Sequence, residues 1–377
     1  MSYFGVLATL LFGVFIVVLS NAVPVQRVPA TTTHTASSTL SVVPSITIPS
    51  ITLPSLEPKS PTTTDSVQLL PTPKKVIRFS SSTATTSAQP VAAPLPPILF
   101  NSTELDASAS ALRAALVNII CYVPAASGLR SISGSGVIID PKGIILTNAH
   151  IAQYFLLTDR GARCTIRSGS PAKDSYNAAL IYISPAWLRA NTKVITQAAP
   201  SGTGEYDFAL LAITKSATTD ALPSSFPSIA LATLPPNTNT PIVIATYGAQ
   251  FLESNQIQSA LFPTVVFGSV KTIFTFKTNT IDVLALGGSA AAQEGSSGGG
   301  VANANRELVG TITTSTTEGA TATRSLSAIT ASYIRAEYAS ETGQALDLLL
   351  AKPTVTAVAE FAPQISTLEA IITANLP

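Results

Sequence analysis

From about Asn101 onward the sequence predicts an all-β fold, either a sandwich or a barrel. Two observations carry the prediction. Short runs rich in Val, Ile and Leu recur, and Gly, Pro, Asn and Ser punctuate them. Helical periodicity is convincing only near the end, over residues 329–338, where Ile329, Tyr333, Ile334 and Tyr338 share one face.

In chain order the expected strands are A-L-V-N-I-I-C-Y-V (115–123), G-V-I-I-D (136–140) and G-I-I-L-T (143–147). D-F-A-L-L-A-I (207–213), T-P-I-V-I-A-T-Y (240–247) and P-T-V-V-F-G-S-V (263–270) follow. T-I-D-V-L-A-L (280–286) and E-L-V-G-T-I-T (307–313) complete the set. β-branched side chains suit the pleated, half-buried surface of a sheet, and turn formers lie between the runs. The segment 353–377 is left open, as a packed helix or a loose tail. The organisation read from these patterns is 101–352 as the folded domain and 353–377 as a C-terminal tail.

The first hundred residues differ in kind. Residues 2–25 carry no charge, and their apolar stretch fits either a long signal-peptide core or a short membrane span. Segment 1–22 is therefore expected to be a signal peptide, cleaved after the small residues 20–22, or an uncleaved anchor. Residues 23–100 are Ser/Thr/Pro-rich, with 13 of the chain's 27 prolines between 23 and 99. Proline at that density blocks helix and central strand, so a disordered linker or stalk is expected. Together these segments imply a folded domain that is membrane-anchored outside the cytoplasm, or secreted.

Charge excludes one class of partner. The net charge is +1 and only 11% of residues are charged, with no basic cluster, so no nucleic-acid partner is expected. Cys121 and Cys164 lie in strand-like runs without C-x-x-C spacing. In an oxidising compartment a bridge between them is expected, two buried thiols being the alternative.

The chemistry turns on E-G-S-S-G-G-G, residues 294–300. Alone it reads as a linker. Its company argues otherwise. Of two histidines, only His150 falls in the folded part, at the end of I-I-L-T-N-A-H; Asp207 follows after fifty-seven residues at the mouth of a strand, and Ser297 after ninety more. The order His, Asp, Ser on a β-rich scaffold is a known chain order for an activated serine, and the two-barrel one. His150 would accept the serine proton, Asp207 would hold the other ring N–H, and the backbone N–H groups of Gly295 and Ser297 would face an oxyanion.

These residues resemble the trypsin-like serine peptidases, particularly the HtrA-type branch. G-S-G-V-I-I-D-P-K-G-I-I-L-T-N-A-H, Y-D-F-A-L-L-A-I and G-S-S-G-G resemble that branch's histidine, aspartate and serine segments. The resemblance covers roughly 105–350. It implies two six-stranded antiparallel β-barrels, chymotrypsin-like, with a C-terminal helix, acting on polypeptide substrates without metal or organic cofactor. It carries His150 over as base, Asp207 as orienter, Ser297 as nucleophile and Gly295 as an oxyanion donor.

Departures qualify the resemblance. Gly300 stands where proline is usual, and Ser296 where zymogen-activated members carry aspartate. Residues 168–204 are expected to contain an insertion, and no PDZ module is expected in the 80 residues after Ser297, most of which the second barrel takes up. Ala291, Ala292 and Gln293 would begin the specificity pocket, with Thr313 on its wall. None is charged, so small or apolar side chains are the expected preference. A catalytically inactive module of this fold that binds partners from a surface stalk is the alternative, and a structural surface protein with a coincidental triad is a third reading.

Overall fold

The computed structural model describes residues 102–197, 202–374 and 376; the signal or anchor reading of 1–22 and the linker reading of 23–100 fall outside the described residues. The six strands β1 (Leu116–Tyr122), β2 (Ile132–Asp140), β3 (Ile144–Thr147), β4 (Arg163–Gly169), β5 (Ala172–Ile183) and β6 (Ala209–Ser216) close into a barrel in the order β1-β2-β3-β6-β5-β4. Every pairing is antiparallel. Ile119, Ile144, Ile145, Leu146, Ile166, Leu210 and Leu211 are buried, consecutive ones on opposite faces of the barrel wall, each contributing about 1.5–3 kcal/mol by leaving water. The β2–β3 turn is local chemistry. Asp140 accepts the N–H groups of Lys142 on its side chain (2.8 Å) and Gly143 on its carbonyl (2.9 Å), and Gly143 adopts φ 88°. Cys121 and Cys164 face each other across β1 and β4 and are joined as a disulfide.

The second sheet runs β8-β7-β11-β12-β13-β10-β9, seven segments in place of the six expected. They are β7 (Pro241–Thr246), β8 (Thr264–Ser269), β9 (Thr272–Phe274), β10 (Val283–Ala285), β11 (Gly300–Ala302), β12 (Leu308–Ser315) and β13 (Leu326–Thr330). β8 and β9 are consecutive halves of one strand bent at Val270 and Lys271. The bend stays bonded on both sides, Val270 N–H to Thr240 O at 3.1 Å and Lys271 N–H to Ala285 O at 2.8 Å. Six strand lengths are thus retained, and the fold is chymotrypsin-like.

Helices depart more from expectation. Helix α1 (Ser102–Ala115), unforeseen in the sequence, packs on β7, β11 and β2. A Cβ added at Gly300 would lie 2.7 Å from Leu112 Cδ1 and 2.9 Å from Val137 Cγ2, so glycine there makes room for α1. The helix expected over 329–338 starts later. Thr330 caps it by accepting the Tyr333 N–H (3.1 Å), leaving Ile329 in β13. It runs over Ala331–Thr342 and ends at Gly343, φ 71°.

The segment 353–377 is helical and shares the core. Four-residue α2 (Ala149–Ala152), α3 (Pro185–Ala190), α4 (Ser254–Ser259) and the α5 just described precede α6 (Leu346–Ala351), α7 (Thr354–Phe361) and α8 (Ile365–Thr373). Helix α7 covers β5 and β6, and α8 lies on α3 and the turns over 153–160. Ala357, Phe361, Leu368 and Ile372 are buried there. Part of the 168–204 stretch is thereby accounted for. β5 runs on into α3, and α3 supplies the surface on which α8 packs.

Candidate active site

The end of β3 delivers the first functional side chain. Asn148 leaves the strand in extended geometry (φ −83°, ψ 153°) and starts α2, on whose first turn His150 sits. Asn148 does not cap α2 with its side chain. Its amide donates to Asp207 O at 2.9 Å, while its Oδ1 is buried without a partner among the described residues.

The turn before β6 delivers the second. Gly204 takes φ 85° and Tyr206 φ 58°, and Asp207 N–H closes onto Gly204 O at 3.1 Å. A Cβ at Gly204 would lie 2.5 Å from Thr313 Cγ2, so only glycine fits. A non-glycine residue at positive φ costs energy unless its surroundings fix it. Here Tyr206 N–H donates to Tyr333 Oη of α5 at 3.1 Å. Burial pushes the Tyr333 phenol well above its ordinary range, so it stays protonated.

The Asp207 side chain is buried, and its carboxylate accepts three hydrogen bonds. His150 Nδ1 lies 2.7 Å from Oδ2, Thr313 Oγ1 donates to the same oxygen at 2.8 Å, and the His150 backbone N–H reaches Oδ1 at 3.0 Å. The imidazole's side chain keeps 19% of its surface in solvent. One edge of the ring is thus fixed and the other faces outward.

The loop between β10 and β11 delivers the third. Ser296 is buried with its hydroxyl 3.4 Å from Thr246 Oγ1, whereas Ser297 is partly exposed. The N–H groups of Gly295 and Ser297 have no acceptor among the described residues. Gly295 (φ 87°) and Gly298 (φ 83°) set the bend, and a Cβ on Gly298 would stand 1.9 Å from Ser135 O. Ser297 Oγ makes no hydrogen bond among the described residues, and apo catalytic contacts are often loose in this way.

Ser135 of β2 clasps this loop to the barrel and escaped sequence reasoning. Its N–H donates to Ser297 O (2.7 Å), and its hydroxyl donates to Gly295 O (2.8 Å) and accepts from Tyr247 N–H (2.8 Å). The only sequence signal was the G-S-G that opens the histidine segment. Ser135→Ala leaves two buried backbone groups unpaired. It should lower unfolding free energy by about 2 kcal/mol, read from the urea midpoint at unchanged m.

The residues expected around the pocket separate. Ala291 and Ala292 are fully buried, and Gln293 turns its amide onto Ala290 O (2.6 Å). Thr313, expected on the pocket wall, has its hydroxyl on Asp207 instead, a contact between residues 106 apart in sequence. Arg324 is buried and donates to Ala292 O at 2.7 Å. Among the described residues no group of three or more His, Cys, Asp or Glu side chains is placed to hold a metal, and no helix is long and apolar enough to cross a membrane.

Residues 134–310 match the family model of the trypsin-like peptidase domain. The chain matches no curated protein sequence. Among solved structures it is similar to the active form of the Rv3671c protease from M. tuberculosis, with 17% identity, 68% of this chain and 95% of that one covered, and a TM-score of 0.41. The inactive form of the same protease gives 17% identity, 67% and 100% coverage, and a TM-score of 0.40. The matched stretch spans the elements that carry His150, Asp207 and Ser297. Residues 134–310 therefore read as a trypsin-like peptidase domain, and the three residues of the candidate site all fall within it.

Proposed function

We propose that the chain cleaves polypeptides through His150, Asp207 and Ser297 by way of an acyl-enzyme. One observation carries the reading: a buried carboxylate bonded to Nδ1 of a histidine whose other edge is open, with a glycine-bent serine in the adjoining loop. As Ser297 Oγ attacks the substrate carbonyl carbon, its proton passes to His150 Nε2. The carbonyl oxygen becomes an oxyanion facing the free N–H groups of Gly295 and Ser297. Losing such a donor typically costs about 3–4 kcal/mol of transition-state stabilisation. The imidazolium then protonates the departing amine, the C–N bond breaks, and Ser297 is left as an ester. Water, deprotonated by His150, attacks the ester and frees the acid with the serine restored.

The reading extends to specificity and place. Uncharged Ala291, Ala292 and Gln293, with the Arg324 cation bonded to Ala292 O, disfavour lysyl and arginyl side chains and favour small or apolar ones. The uncharged run at 2–25, the Ser/Thr/Pro-rich stretch after it and the Cys121–Cys164 disulfide support export, either tethered or secreted. The competing reading is an inactive binding module, and the unbonded Ser297 hydroxyl favours it. The purified full-length chain, incubated with a fluorophosphonate and weighed intact, should gain one adduct that peptide mapping places on Ser297. A folded chain without adduct would establish the inactive module in its stead.

A further inference from the structure

Arg324 follows the loop after β12 and is only 5% exposed. No carboxylate pairs with it among the described residues. Burying a guanidinium without a counter-charge is costly unless its N–H groups find acceptors. Here the acceptors come from three separate loops. Nε and Nη2 both reach Gly319 O, at 3.0 and 2.8 Å, beyond β12. Nη1 reaches Ala292 O at 2.7 Å, five residues before Ser297, and Gln250 Oε1 at 2.6 Å, in the loop after β7. The ring of Phe251 lies against the cation, 5.6 Å from Cζ to its centroid.

Two further bonds extend this cluster towards the oxyanion donors. Gln250 Nε2 donates to Thr317 O at 3.0 Å, and Ala249 N–H donates to Glu294 O at 2.7 Å, next to Gly295. The bend at Gly295 is therefore tied through Ala249 and Gln250 to the same guanidinium that holds Ala292. Charge-assisted bonds in a fixed planar fork hold geometry better than neutral ones or a flexible ammonium.

We propose that Arg324 is a positioning residue, which assembles the pocket and aims the Gly295 N–H. The inference rests on the peptidase reading and deepens it. A misplacement of about 1 Å at such a site can cost about 100-fold in rate. The test is the second-order rate of fluorophosphonate labelling of the full-length chain. Arg324→Met keeps most of the volume, Arg324→Lys keeps the charge without the fork, and Arg324→Ala leaves a hole that guanidinium can enter. Each should be labelled about 10- to 100-fold more slowly than the parent, with the fold retained by circular dichroism. Millimolar guanidinium chloride should speed labelling of the alanine variant severalfold and leave the parent unchanged. Parental labelling of a folded Arg324→Met chain would overturn the proposal. So would a slowed Arg324→Ala chain that guanidinium does not rescue, since that marks a merely structural loss. A parent that fails to label would overturn the peptidase reading itself, and this inference with it.

Discussion

Ser297→Ala should lower kcat by roughly a million-fold, with KM little changed, and His150→Ala should cost about as much. The reason is that the two act as one unit. A hydroxyl at neutral pH is a poor nucleophile until the imidazole takes its proton, and the imidazole has nothing to do without the hydroxyl. The double variant should consequently be no worse than either single one, a gross failure of additivity that independent residues would not show. Ser296→Ala supplies the contrast. Its hydroxyl is buried beside Thr246 Oγ1, out of reach of substrate, so hydrolysis should persist. Loss of activity in the Ser296 variant alone would reassign the nucleophile. Residual hydrolysis in Ser297→Ala within about tenfold of the parent would remove this serine from the mechanism.

Strands and chemistry were legible for different reasons. The runs at 115–123 and 136–147 are dense in β-branched side chains and 207–213 is a continuous apolar run behind Asp207, so local physics suffices to find them. All fall in the first barrel. β11 has only three residues and adjoins four small ones, and β9 is the far side of a bend; neither offers a pattern to read. Helix α1 was missed because small and polar residues mix on it, and Leu112 finds its place only against Gly300 of a strand far along the chain. The glycine that looked like a departure at 300 and the unforeseen helix are therefore one feature. The same holds at the site. His150 and Asp207 stand at strand boundaries that a reader can see, and Ser297 stands in the G-S-S-G-G motif. Thr313, Ser135 and Arg324 act through hydrogen bonds to residues 32 to 160 positions away, which no local pattern encodes.

Asp207→Asn should lower kcat about 10⁴-fold while the fold stays intact, and the hydrogen bonds around the carboxylate say why. Oδ1 must accept the His150 backbone N–H at 3.0 Å. An asparagine placed here keeps its oxygen at that position, because its NH₂ group there would set donor against donor. The NH₂ then takes the Oδ2 place, 2.7 Å from His150 Nδ1. An amide nitrogen only donates, so Nδ1 must become the acceptor and the ring proton moves to Nε2. That tautomer presents an N–H to Ser297 and cannot take its proton. The Thr313 hydroxyl, which now donates to Oδ2, must rotate to accept from the amide, a small adjustment for a group free to turn. Binding contacts are untouched, so KM should hold while kcat falls. Nitrogen-15 NMR of the imidazole at neutral pH should report the proton on Nε2 in the variant and on Nδ1 in the parent. A variant with the Nε2 proton and near-parental kcat would mean that His150 is not the base. A variant that keeps the Nδ1 proton would mean that the pairing with Asp207 does not set the tautomer, and the orienting role assigned to this carboxylate would fall.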